Sequence, residues 1–129
     1  GQLLAGMPVD QRGAIRALLP EGVPIGLLKS SAVAASHRGL GIGSAMAVAR
    51  RDILSARGAG AFLSLGWTDA AGCHAQKPLE RAGLQAVADI PDFWREDSLA
   101  AGYGCPSCGH PCRCIARVFT RVLRTGQPA

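Results

Sequence analysis

Aromatic side chains are scarce in this chain: three Phe, two Trp and one Tyr make up 5% of 129 residues. A platform that stacks unpaired bases would have few rings to build on. No apolar run approaches the roughly 18–20 residues that a membrane-crossing helix requires. Lysine is nearly missing, since Lys29 and Lys77 are the only two among 14 basic residues. The Arg bias fits GC-rich coding and carries no functional weight by itself. No dense basic run occurs, which counts against a nucleic-acid-binding reading. The opening Gly1-Gln2-Leu3-Leu4 lacks Met, and it lacks the basic, apolar and cleavage regions of a secretory leader. Internal repeats and low-complexity tracts are absent too.

What remains is globular. Apolar residues reach 48% and charged residues 18%, which excludes a disordered chain. A chain of this length buries about two thirds of its unfolded surface in one core, and two full domains do not fit. The formal net charge of +5 favours anionic ligands such as phosphate, nucleotide or nucleic acid. Four of the five cysteines fall together at Cys105, Cys108, Cys112 and Cys114, while Cys73 stands alone. A secreted disulfide scaffold would spread its cysteines, so the clustering points to a cytoplasmic protein with a thiol or metal site.

Residues 1–7 read as the end of a strand, and 8–22 as a connection with a helical turn over 12–19. Residues 25–33 read as a strand with a bulge near Lys29, Ser30 and Ser31. Met46, Ala49, Ile53, Leu54 and Ala56 share one face of a helix over 43–57, which the pair Arg57-Gly58 stops. A buried strand follows over 59–67. Residues 69–82 read as a helix whose Pro78 requires a late start near Lys77. Residues 85–90 form a short strand and 91–104 a loop. The last strand, 112–123, sets Cys112, Cys114, Ala116, Val118, Thr120 and Val122 on one face. This order gives an α/β domain of the mixed-sheet, α+β kind.

The stretch Val33-Ala34-Ala35-Ser36-His37-Arg38-Gly39-Leu40-Gly41-Ile42-Gly43 runs from strand to helix. Its glycine spacing is neither the dinucleotide fingerprint nor a Walker A loop. The physics is similar nonetheless. Glycines let backbone approach an anion, N–H groups face outward, and the helix adds its positive dipole end beside Arg38. A plain strand-to-helix turn without a ligand is the competing reading.

These residues resemble the acyl-CoA signature of the GNAT superfamily, the acyl-CoA-dependent N-acetyltransferases. That signature is an apolar strand followed by Gln/Arg-x-x-Gly-x-Gly/Ala at a helix start, and Arg38, Gly41 and Gly43 match it. Leu79-Glu80-Arg81-Ala82-Gly83-Leu84 is similar to the end of the family's last helix. The resemblance spans residues 23–123. It implies one GNAT-like domain over 1–129, a central mixed sheet with flanking helices, the first strand and first helices missing, and an N-terminally incomplete chain. Within it, 1–22 is a remnant strand and connection, 23–90 the acyl-CoA-binding core, 91–114 an aromatic loop with the cysteine cluster, and 115–129 the last strand and tail.

The implied reaction is transfer of acetyl from acetyl-CoA to an unidentified primary amine by direct attack. The pantetheine arm would lie between parallel strands that splay apart, 25–33 and 59–65. Ala32, Val33 and Ala34 would pair with the arm. Arg38, Gly39, Leu40, Gly41, Ile42, Gly43 and Ser44 would hold the pyrophosphate, while Lys29 and Ser31 would face the acceptor. The family's thiolate-protonating Tyr has no counterpart here, because that position reads Leu79. Cys73 and His74 are the substitute catalytic acids; a buried Cys and a surface His are the competing reading.

Cys105-Pro106-Ser107-Cys108-Gly109 has the form of a zinc knuckle, whose turn aims two thiolates at one metal. Cys112 and Cys114 would complete the tetrahedron, with His110 as an alternative ligand. In an extended strand the two sulfurs of Cys-x-Cys would sit about 7 Å apart, so the segment must bend. Metal-free thiols are the competing reading. Trp94, with Asp92, Glu96 or Asp97, is expected to line the acceptor channel, against a packed Trp among solvated charges. The expected partners are acetyl-CoA and an amine, with zinc as the metal and neither membrane nor nucleic acid. A homodimer is compatible with this reading. The alternatives are a zinc-ribbon-like nucleic-acid or protein binding module, or a CoA-binding fragment without full activity.

Overall fold

The computed structural model describes residues 9–29 and 33–124. The strand end expected at 1–7 and the site residues Ser31 and Ala32 lie outside them. The chain forms a mixed sheet flanked by helices. Helix α1 spans Val9–Arg16, earlier than the expected turn over 12–19. Strand β1 is Ile25–Leu27, helix α2 is Ile42–Ala56 and strand β2 is Ala61–Asp69. A two-residue strand β3, Gly72–Cys73, turns back on β2 before helix α3, Gln76–Arg81. Strand β4 is Gln85–Ile90, helix α4 is Arg95–Ala101, and strand β5 is Ile115–Val122. No helix among the described residues is long and apolar enough to cross a membrane.

Several expected elements change character. The helix over 69–82 is in its first part a hairpin. Asp69 ends β2, and Gly72 takes a φ of 111° that favours glycine at the turn. Helix α3 starts at Gln76, which leaves Pro78 in the first turn, where a missing N–H breaks no bond. The loop over 91–104 contains α4. Glu96 and Asp97 complement its N-terminal dipole, and Gly102 closes it in the left-handed conformation. Within the expected strand over 25–33 the described residues give a strand at Ile25–Leu27, with 30–32 outside them, and the strand over 112–123 begins only at Ile115.

The sheet order is β1-β2-β5-β4. β1 and β2 are parallel, from Ile25↔Ala61 to Leu27↔Leu63. β2 and β5 are antiparallel from Ala61↔Val122 to Thr68↔Ile115, and β5 pairs antiparallel with β4 on its other side. Strand alternation divides the core in two. Phe62 and Phe119 face α2 and α3, packing with Leu28, Ala47, Leu79, Ala82 and Leu84. Leu63 and Val118 face the other way, onto Ile15 of α1. The register of β4 slips between Ala86 and Ala88, so Val87 bulges out. That slip turns Ala88 and Ile90 toward the Ile15 side, where they pack.

Gly66 has no room for a side chain: an added Cβ would lie 2.8 Å from Cys73 Sγ and 2.8 Å from Phe119 Cε2. Gly66→Ala should therefore destabilise the fold by about 1–3 kcal/mol through overpacking. Urea unfolding followed by circular dichroism measures this, and an unchanged midpoint would contradict the close contact.

Candidate functional site

The edge of β2 that carries β1 is interrupted. Pairing with β1 ends where Leu28 N–H donates to the Leu63 carbonyl at 2.9 Å. The Leu28 carbonyl then accepts from the Ser64 hydroxyl at 2.7 Å. β3 takes up the same edge only at Thr68↔Cys73 and Asp69↔Gly72. Among the described residues, β2 thus has a notch from Ser64 to Trp67, bounded by β1 and β3.

Beyond Leu28 the chain leads to the glycine loop. Arg50 of α2 donates to the Lys29 carbonyl, so exposed Lys29 is fixed by its backbone. A 3-10 turn at Ala35–His37 follows Val33 and Ala34, and Arg38 Nε donates to the Val33 carbonyl at 3.1 Å. Gly39 and Gly41 take φ values of 81° and 79°, with open space where a Cβ would stand. Gly41 caps α2, and no side chain caps that terminus. The first turn of α2, from Ile42 through Ser44, thus presents an uncapped N-terminal end beside Leu40, which is 71% exposed. Gly43 differs from the other two glycines. It lies in α2 facing Pro78 of α3, whose Cγ would be 3.6 Å from an added Cβ. The first turns of α2 and α3 therefore meet.

Cys73 and His74 lie at the other boundary of the notch. Cys73 is a strand residue, half-buried, with its sulfur against Gly66 and Phe119. His74 is exposed in the turn before α3. Asp69, across the hairpin, accepts from Ser107 Oγ at 2.8 Å and from Ala71 N–H at 2.8 Å. Those bonds, Ser107 first, hold its carboxyl below the usual carboxylate range.

The four clustered cysteines form a hook. Cys105 and Gly109 exchange backbone bonds of 2.7 and 2.9 Å, and Gly109 takes a φ of 85°. The four Sγ atoms all lie within 4.8 Å of one another. Individual separations are 3.5 Å for Cys105–Cys114, 3.8 Å for Cys108–Cys112 and 3.3 Å for Cys108–Cys114. A tetrahedral centre with metal–sulfur bonds of about 2.3 Å has sulfur–sulfur edges of about 3.8 Å, so these four cysteines can hold a metal ion. The bend that Cys112-Arg113-Cys114 needs is present, because that segment precedes the regular part of β5. His110 is not in the group; its ring Nδ1 bonds the Tyr103 carbonyl at 2.9 Å.

Each sulfur receives an N–H donor. Ser107 and Cys108 N–H groups bond Cys105, Arg113 N–H bonds Cys108 at 3.1 Å, Cys114 N–H bonds Cys112, and the Trp67 side chain bonds Cys114. Such donors stabilise thiolate charge. Burial pushes the Cys105 thiol up, but its N–H donors and neighbouring thiols outweigh this and bring it to about 7. Burial raises Cys112, and it pushes Cys114 up to about 12 despite the bond from Trp67. Cys105, Cys112 and Cys114 are buried and Cys108 is exposed.

Trp94 packs against Cys105, Cys112 and Cys114, and it meets Phe93 edge-on at 5.0 Å. Its ring is thus part of the hook's support. Sequence reasoning did not find Trp67, Ser98 or Asp69 as supports of the hook. Ser98, fully buried, accepts from Cys112 N–H at 2.9 Å and donates to the Arg95 carbonyl at 2.8 Å. The alternation of β2 puts Trp67 on the same face as Leu63 and Leu65, but its partner is remote in the chain.

Metal binding must displace protons from the raised thiols, so affinity should fall as pH falls. With Co2+ as a spectroscopic probe, the apparent Kd should weaken by about tenfold or more per unit between about pH 8 and pH 6. A Kd that is flat across this range would rule out thiolate ligation.

No protein-family model, curated protein or solved structure matches this chain, so its chemistry rests on its own geometry.

Proposed function

We propose that the chain is an acyl-CoA-dependent N-acyltransferase of GNAT-like fold, with Zn2+ as the resident metal of the hook. The observation that carries the reading is the notch in β2, bounded by the end of β1 and by β3. A parallel strand pair that parts at Leu28 and then leads through a glycine loop into an uncapped helix suits an extended arm with a phosphate end. The open space at Gly39 and Gly41 fits close backbone approach by a pyrophosphate.

An acyl-CoA supplies an activated thioester. The protein's part is positioning and charge stabilisation. N–H groups at the start of α2, with Arg38, neutralise phosphate charge. Backbone beside Val33 and Ala34 lines the arm. His74, exposed at the far side of the notch, is better placed to give a proton to a leaving thiolate than Cys73, whose sulfur packs under Phe119. The acceptor is a primary amine, which attacks in its deprotonated form. The thiolate set of the hook is soft and tetrahedral, which favours zinc as a closed structural centre. Because Cys112 and Cys114 lead directly into the central strand, the hook is part of this domain and not a free-standing ribbon module.

Acetyl-CoA at about one hundred times its Kd should stabilise the protein by about 2.7 kcal/mol, read as a rise in Tm. Gly41→Val should lower the basal Tm and abolish the acetyl-CoA-dependent rise, since a branched side chain opposes the left-handed backbone at the loop. No rise with the unaltered protein would refute acyl-CoA binding.

A further inference from the structure

We propose that the metal-bound hook fixes the position of the β2–β3 hairpin and thereby sets the far boundary of the notch. The inference rests on the zinc reading above and gives that metal a task beyond local folding. Three connections join hook to hairpin. The Trp67 side chain bonds Cys114 Sγ. Ser107 Oγ donates to the Asp69 carboxylate at 2.8 Å. Ile115, next after Cys114, pairs with Thr68.

The β2 arm is fixed by its ladder to β5, but β3 has little beyond the packing of Cys73 to hold it. Its ladder with β2 is two residue pairs long, and the turn adds one bond from Ala71 N–H to Asp69. Ladders of that length do not stand by themselves. The hook, in contrast, is anchored from behind. Ser98 accepts the Cys112 N–H, and Trp94 packs on three of the four cysteines. A metal that joined the four sulfurs would make 105–114 one rigid body. Without the metal the sulfurs lose their common partner, and the hairpin loses the frame it leans on.

Cys73 reports on this directly. It sits in β3, outside the metal-binding group, with its sulfur held against Gly66 and Phe119. Alkylation by N-ethylmaleimide, read at the Cys73 peptide by mass spectrometry, therefore measures opening of the hairpin. The experiment compares zinc-loaded and chelator-stripped protein, with zinc counted in both. We expect one Zn2+ per loaded chain, and about tenfold or faster Cys73 alkylation after stripping. The double variant Trp67→Phe, Ser107→Ala retains all four ligands; it should keep its zinc and still alkylate at Cys73 about threefold faster or more. If stripping unfolds the whole chain, the double variant decides. Zinc bound with an unchanged Cys73 rate in the stripped protein, or a double variant that behaves like the parent, overturns the coupling and leaves the zinc centre standing. Fewer than about 0.2 zinc per chain overturns the centre and the coupling with it.

Discussion

The structure depends on the pairing of both edges of β5. Eight residue pairs join it to β2 and five join it to β4. The parallel β1–β2 ladder has only three pairs, too few to hold a sheet alone. Within β5, Phe119 closes the core under α2 and α3, while its neighbour Val118 closes the core over Ile15. One strand therefore completes both hydrophobic layers. It is also remote in sequence from its main partner, so pairing β2 with β5 closes a long loop.

Much of this was legible in the sequence where period and composition agree. The helix over Ile42–Ala56 announces itself by apolar spacing and by Gly58, and Gln85–Ile90 reads as a strand by its flanking signals. The glycine loop and the four-cysteine group were found by residue type and spacing. The β2–β3 hairpin was not, because Asp69 through Pro78 mixes small, polar and turn-forming residues that suit a capped helix equally well. Helix α4 escaped because Arg95–Ala101 has a single large apolar residue, Leu99, and that one is 47% exposed. It is held by its Gly102 C-cap and by Ser98, which periodicity does not register. The packing of Trp94 on sulfur is not legible in the sequence, since that contact depends on the tertiary path of the hook.

The notch and the hook belong to one mechanical unit. Among the described residues, the notch is the stretch of β2 between the end of the β1 ladder at Leu63 and the start of the β3 ladder at Thr68. Gly66 lies inside it, and the absence of a side chain there lets Cys73 and Phe119 close from the core side. The cross-strand pair Arg117–Asp89, 2.9 Å apart, continues the polar side of this region. Arg117 also donates to Gln76 at 2.8 Å, tying α3 to the centre of the sheet. The hydrogen bonds to Asp89 hold the Arg117 guanidinium above its usual value.

The bulge at Val87 has a consequence for how this molecule meets copies of itself. β4 is the outer strand beside β5, and most of its residues are exposed. An open strand edge offers evenly spaced donors and acceptors to any extended chain that approaches. The extra residue at Val87 breaks that even spacing midway along a six-residue strand, and Asp89 adds a charge just beyond it. An incoming strand would find only short stretches of matching backbone on either side. The same irregularity that turns Ala88 and Ile90 into the core thus denies the edge to strand-by-strand aggregation.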